Sequence, residues 1–124
     1  MKRFSPILLA LILSVVCVAN ASASEPAPVY VHMVVVSATL TDGSSSADAV
    51  LAFEKAVIEM AGGFTRLGSS SGGILKGDTV EHQQNVTFMV AGQKDLSEEL
   101  KALTLKLFGG DGGFILAWPG TMTY

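Results

Sequence analysis

An α+β fold of order β-α-β-β-α-β, with four strands in one antiparallel sheet and two helices on one face, is predicted by three features of this sequence. Two segments repeat apolar residues at helical spacing, and four others are extended and rich in β-branched or aromatic residues. Glycine pairs and a Lys76-Gly77-Asp78 turn separate most of them.

The first strand covers 29–40. Val29, Val31, Met33 and Val35 form one alternating set and Tyr30, Val34, Val36 and Leu40 the other, so both faces are apolar and the strand belongs in the middle of its sheet. Residues 41–46 are a turn in which Ser45 or Ser46 is placed to cap a helix by accepting a bond from a free backbone amide. That helix runs over 47–61, where Val50, Phe53, Val57 and Met60 fall three and four apart while Glu54, Lys55 and Glu59 fill the remainder. Gly62-Gly63 stops it, since glycine adopts the left-handed conformation without a side-chain clash.

A hairpin follows from Phe64. Its first arm is weakened by Gly68, Ser69, Ser70, Ser71, Gly72 and Gly73, a composition that marks a bulge or a place where another group approaches the backbone closely. Its second arm, 79–91, ends in the clear strand 86–90. Asp95 and Glu98 then fit a reciprocal cap, and Leu96, Leu100, Leu103 and Leu107 mark one face of the second helix. Gly109-Gly110 closes it, and the last strand is 114–118, with Pro119 suiting an edge strand or its end.

This order is the split βαβ, or ferredoxin-like, plan. Right-handed crossovers place the strands in spatial order 4-1-3-2, with the first and third adjacent and expected to be parallel. The face away from the helices is left bare while the first strand is apolar on both sides. A second copy packing sheet against sheet is the simplest cover, which makes the expected partner a homodimer. Gly63-Phe64-Thr65, Gly72-Gly73, the turn at Gly77 and Glu81 ahead of an apolar strand together resemble the hairpin of a family of small, often exported bacterial domains of unknown function with ferredoxin-like topology. The resemblance implies a fold and carries no chemistry.

Ahead of this domain, residues 1–23 read as a signal peptide: Lys2 and Arg3 open it, 7–18 is an uncharged apolar stretch, and Ala21-Ser22-Ala23 offers small residues for cleavage before Ser24 or Ser22. Twelve residues fall short of the about 20 that span a bilayer, so no membrane anchor is expected after cleavage. Val15 and Val16 stand where small residues would precede a lipid-modified Cys17. The protein is thus expected to be secreted or periplasmic, with residues 24–124 as one domain. That domain has no cysteine, which excludes disulfides, thiol catalysis and thiolate metal sites. It carries 6 basic and 11 acidic residues, net −5 with histidines neutral and no basic cluster, so nucleic acid and anionic membranes are poor partners.

Among chemistry-bearing residues, His32, Glu81 and His82 are the best metal candidates, on the expectation that parallel neighbouring strands bring them to one end of the sheet. Two imidazoles and a carboxylate suit zinc or copper. Neither histidine belongs to a short paired motif, and a hydrogen-bonded or solvated histidine at a strand end is the plainer alternative. Met33 and Met89 are soft donors for cuprous copper, or simply core filling. The Ser69-Ser70-Ser71 run lacks the lysine and helix of a phosphate loop and the strand-to-helix context of a hydrolase elbow. Glu54, Glu59, Glu98 and Glu99 read as solvated helix faces, and Asp111 alone does not make a calcium loop.

Trp118 and Tyr124 would line a ligand pocket or the dimer seam. Tyr30, Gly72, Gly73 and Trp118 are the expected ligand-binding residues of a non-catalytic domain that binds a small ligand or a protein. The alternatives are a periplasmic metal-binding protein using His32, Glu81 and His82, and a small dimeric α+β-barrel enzyme. The enzyme would show a buried cavity lined by His32 or His82 with Tyr30 or Trp118.

Overall fold

The computed structural model describes residues 25–124, so the proposed leader and Cys17 lie outside the described residues. The elements are β1 (Ala27–Ser37), α1 (Ala47–Ala61), β2 (Thr65–Lys76), β3 (Thr79–Gly92), α2 (Ser97–Phe108) and β4 (Phe114–Met122). The strands form one sheet in the order β2-β3-β1-β4, and the fold is the α+β, ferredoxin-like βαββαβ arrangement.

Every adjacent pair is antiparallel, including β1 with β3, which corrects the expectation that those two run parallel. The α1 crossover returns β2 in the direction of β1, and the two-residue turn at Gly77 and Asp78 then reverses the chain. β3 must therefore run against β1. Gly77 takes φ +64, a conformation that glycine reaches freely.

β1 is central, hydrogen-bonded to β3 on one side and β4 on the other. His32, Val34 and Val36 face the helices and are buried. Both helices pack on that one side: Val50, Phe53 and Val57 of α1 and Leu100 and Phe108 of α2 share a core with Val34, Val36, Val86, Phe88 and Val90. At its centre the Phe53 ring lies 4.9 Å from Phe88 and 6.3 Å from Phe108, and Phe64 meets Phe88 at 5.7 Å, separations typical of favourable aromatic pairs.

The helix starts differ in detail from simple capping. The Ser45 hydroxyl accepts the Ala47 amide at 3.2 Å, while the Ser46 hydroxyl donates to the Ser37 carbonyl at 2.8 Å and ties α1 to the end of β1. Ahead of α2, Asp95 accepts the amide and hydroxyl of Ser97, and Glu99 rather than Glu98 is engaged, pairing with Lys94 at 2.8 Å. The buried stripe of α2 also turns from Leu103 and Leu107 toward Thr104 and Phe108. Thr104 packs against the chain entering β4, where a Cβ on Gly113 would sit 2.9 Å from the threonine methyl.

The hairpin outgrows the rest of the sheet. β1 pairs with β3 only as far as Ser37 opposite Asn85, while β2 and β3 continue together to Lys76 opposite Thr79. The expected irregularity in β2 is present as a register shift between Arg66 and Gly68. β4 does not stop at Pro119 but continues to Met122, which an edge strand tolerates because its outer side needs no amide.

Phe53→Ala removes the ring that joins both helices to the sheet and should cost about 3–5 kcal/mol, read as a lower urea midpoint at unchanged slope.

Candidate binding surface

The side of the sheet away from the helices has no cover among the described residues. Val31, Met33 and Val35 of β1 lie across from Trp118, Leu116 and Phe114 of β4, with Met89 of β3 opposite Met33 on the other side. These side chains share one face by the alternation of the strands. Phe114 is 61% exposed, Leu116 44%, Trp118 39% and Met89 37%. Toward β2 the same face turns polar, where the Ser70 and Thr87 hydroxyls meet at 2.7 Å.

Where the hairpin arm leaves the sheet there is a groove of about 900 Å³. Val35, Thr39, Ile74 and Phe114 line it together with Gly72, Gly73, Glu81, His82, Gln83, Gln84 and Asn85. Glu81, Gln83 and Asn85 are two residues apart on β3 and therefore present one row on the groove side. No hydrogen bond within the described residues engages the amides of Gln83, Gln84 or Asn85. Gly72 keeps the row accessible, since a Cβ there would lie 3.2 Å from the Asn85 amide nitrogen. A smaller recess of about 550 Å³ beside α2 contains Lys101, whose amine is already committed to the carbonyls of Asp111 and Gly113.

The expected metal set does not assemble. His32 lies opposite Val90, whereas His82 lies opposite Gly73, eight residues and about 27 Å further along β3. The antiparallel register sends the start of β3 to the far end of β1, so only Glu81 and His82 stay together. Glu81 is paired with Lys76 at 3.1 Å, with both groups exposed. Among the described residues no group of three or more His, Cys, Asp or Glu is placed to hold a metal ion.

The four expected ligand-binding residues also divide. Gly72 and Gly73 line the groove, Trp118 lies further along the open face opposite Val31, and Tyr30 falls on the helix side, two residues from His32. None of Tyr30, His32 or Trp118 lines the groove. Phe114, Gln83 and Asn85 carry no ligand-binding signal of their own in the sequence, although the i, i+2, i+4 polar row of Glu81, Gln83 and Asn85 is visible there.

His32 is fully buried, with both ring nitrogens engaged. Nδ1 lies 3.1 Å from the Val90 carbonyl and Nε2 accepts the Leu96 amide at 2.9 Å. A carbonyl only accepts and an amide only donates, so this network assigns the neutral ring protonated on Nδ1. Asp95 Oδ1 stands 3.3 Å from Nε2. Its carboxyl is held below the usual carboxylate range, first by the Ser97 hydroxyl and then by the Ser97 amide.

Comparison of the chain with protein-family models, with curated proteins and with solved structures found no match.

A lowered carboxyl pKa in the folded state supplies stability that is complete above the unfolded value and lost as pH falls through the folded one. Ser97→Ala removes the main cause of the shift at Asp95. It should raise the Asp95 titration midpoint, followed by carboxyl carbon NMR, and move the acid loss of stability to higher pH.

Proposed function

We propose that the chain is an exported, non-catalytic binding domain that works as a homodimer through its open sheet face and takes a small ligand in the groove beside the hairpin arm. The observation that carries this is the uncharged apolar face of Val31, Met33, Val35, Met89, Phe114, Leu116 and Trp118 on an otherwise acidic domain. An apolar patch of this extent on a folded chain marks an interaction site.

A second copy is the occupant that fits best. Two like-charged acidic domains meet most easily where neither carries charge. The three strands that carry it, about 4.8 Å apart and about nine residues long, give an apolar face of roughly 30 by 14 Å, and the polar part of the same face beside β2 extends the seam toward the roughly 800 Å² per partner of a standard interface. Stacked sheets bury such faces at about 10 Å separation.

The groove supplies the ligand part. Phe114, Val35 and Ile74 offer apolar contact, and Gln83, Gln84 and Asn85 offer uncommitted amides that donate and accept. This favours an amphiphile with a flat apolar portion and a hydrogen-bonding head. Export rests on the leader read in residues 1–23, and no helix among the described residues is long and apolar enough to cross a membrane.

Sedimentation at micromolar concentration should give a dimer, and Leu116→Glu should weaken it at least about thirtyfold by burying a charge in the seam. A wild-type protein that sediments only as monomer refutes the interface. The intact mass of the exported product should correspond to a chain beginning at Ser24 or Ser22. An amide-shift screen with small aromatic amides should perturb Gly72, Asn85 and Phe114, and perturbations confined to other elements would reject the groove.

A further inference from the structure

The strongest unexplained feature is a titratable ring sealed in the core at the junction of β1, β3 and the start of α2. We infer that His32 is an acid-sensitive latch that holds the first turn of α2 in one of two hydrogen-bonded arrangements. The inference is independent of the dimer and the groove.

In the neutral arrangement, Nδ1–H donates to the Val90 carbonyl of β3 and the Nε2 lone pair receives the Leu96 amide. Leu96 is buried, and its carbonyl in turn receives the Leu100 amide at 2.8 Å, the first helical bond of α2. A proton taken from solvent forms an N–H bond with that same lone pair. The ring becomes a cation, and the Leu96 amide then faces a donor instead of an acceptor. Asp95 Oδ1, 3.3 Å from Nε2, is the carboxylate placed to receive the new N–H.

Asp95 already accepts from Ser97, and Leu96 is its direct neighbour in the chain, so a tighter His32–Asp95 contact must move the Ser97 bonds and the Leu96 amide together. The device is thus a choice between two partners of one nitrogen: the Leu96 amide without the proton, the Asp95 carboxylate with it.

The surroundings make Asp95 the partner of the charged ring. β3 contributes the Val90 carbonyl, β4 places uncharged Ala117 opposite His32, and α1 brings Met60 and Ala61 beside Leu96. Lys94, Glu98 and Glu99 are the other charges at the turn, Lys94 pairing with Glu99 at 2.8 Å, and Tyr30 is the other titratable side chain on the helix side of β1 beside His32. Asp95 is 53% exposed, so the carboxylate has room to move, while the ring has none.

The test is NMR on the intact domain between about pH 8 and about pH 5, the range in which histidine changes charge. At the upper end the ring nitrogens should show the Nδ1–H form. Through the ring titration the Leu96 and Ser97 amides should shift with the same midpoint, and exchange at the Leu96 amide, corrected for its intrinsic pH dependence, should rise about tenfold as its bond is released.

In Asp95→Asn, whose amide oxygen still accepts from Ser97 but which carries no charge, the ring should titrate at lower pH and carry the Leu96 shift with it. In His32→Gln, where it folds, the Leu96 shift should vanish. The latch is refuted if the wild-type ring titrates while the Leu96 amide stays still, if the Leu96 amide moves with a midpoint other than the ring's, if the ring stays neutral across the range in the folded chain, or if Asp95→Asn leaves the ring midpoint unchanged.

Discussion

β1 is hydrogen-bonded along both edges and apolar on both faces, and the rest of the domain is arranged to meet those four demands. Its edges are satisfied by β3 and β4, which fixes it at the centre of the sheet. One face is met by α1 and α2 through Val34 and Val36. The other face, with Val31, Met33 and Val35, is met by nothing within the described residues, so the hydrophobic effect that builds the core also leaves a surface suited to association.

The helix side shows how strictly that core is filled. Three phenylalanines from α1, β3 and α2 form its centre, and the Arg66 guanidinium closes one side by lying over the Phe88 ring while paired with Glu54. The one ionisable side chain buried in this layer among the described residues, His32, is accommodated because backbone groups satisfy both its nitrogens. A buried polar group that lost either partner would carry its full desolvation cost. The geometry of β3 and of the start of α2 is therefore coupled to the protonation of one ring.

The open side combines two chemistries along one sheet. Toward β4 it is apolar and aromatic, and toward the hairpin it becomes a row of hydroxyl, amide and carboxylate groups. The boundary runs past Phe114 and Val35, where the hairpin arm rises out of the sheet. The arm owes its reach to the difference in strand length: β2 and β3 continue after β1 has ended, and the small residues of β2 keep the arm slim enough to leave a groove.

The sequence alone determined the elements, because helical spacing in 47–61, alternation in β1 and glycine stops are local signals that the backbone must obey. It also showed that β1 is apolar on both faces, that the hairpin turns at Gly77 and that β2 is irregular near Gly68. Strand direction, and with it which distant residues meet, was decided by the tertiary structure. His32 and His82 share a residue type and a sheet, but an antiparallel register separates them, and no local pattern records that. The same register placed the Leu96 amide and Asp95 at the buried ring, and gathered Gly72, Asn85 and Phe114 around one groove. Such meetings depend on packing between residues more than ten positions apart, which spacing along a chain does not encode.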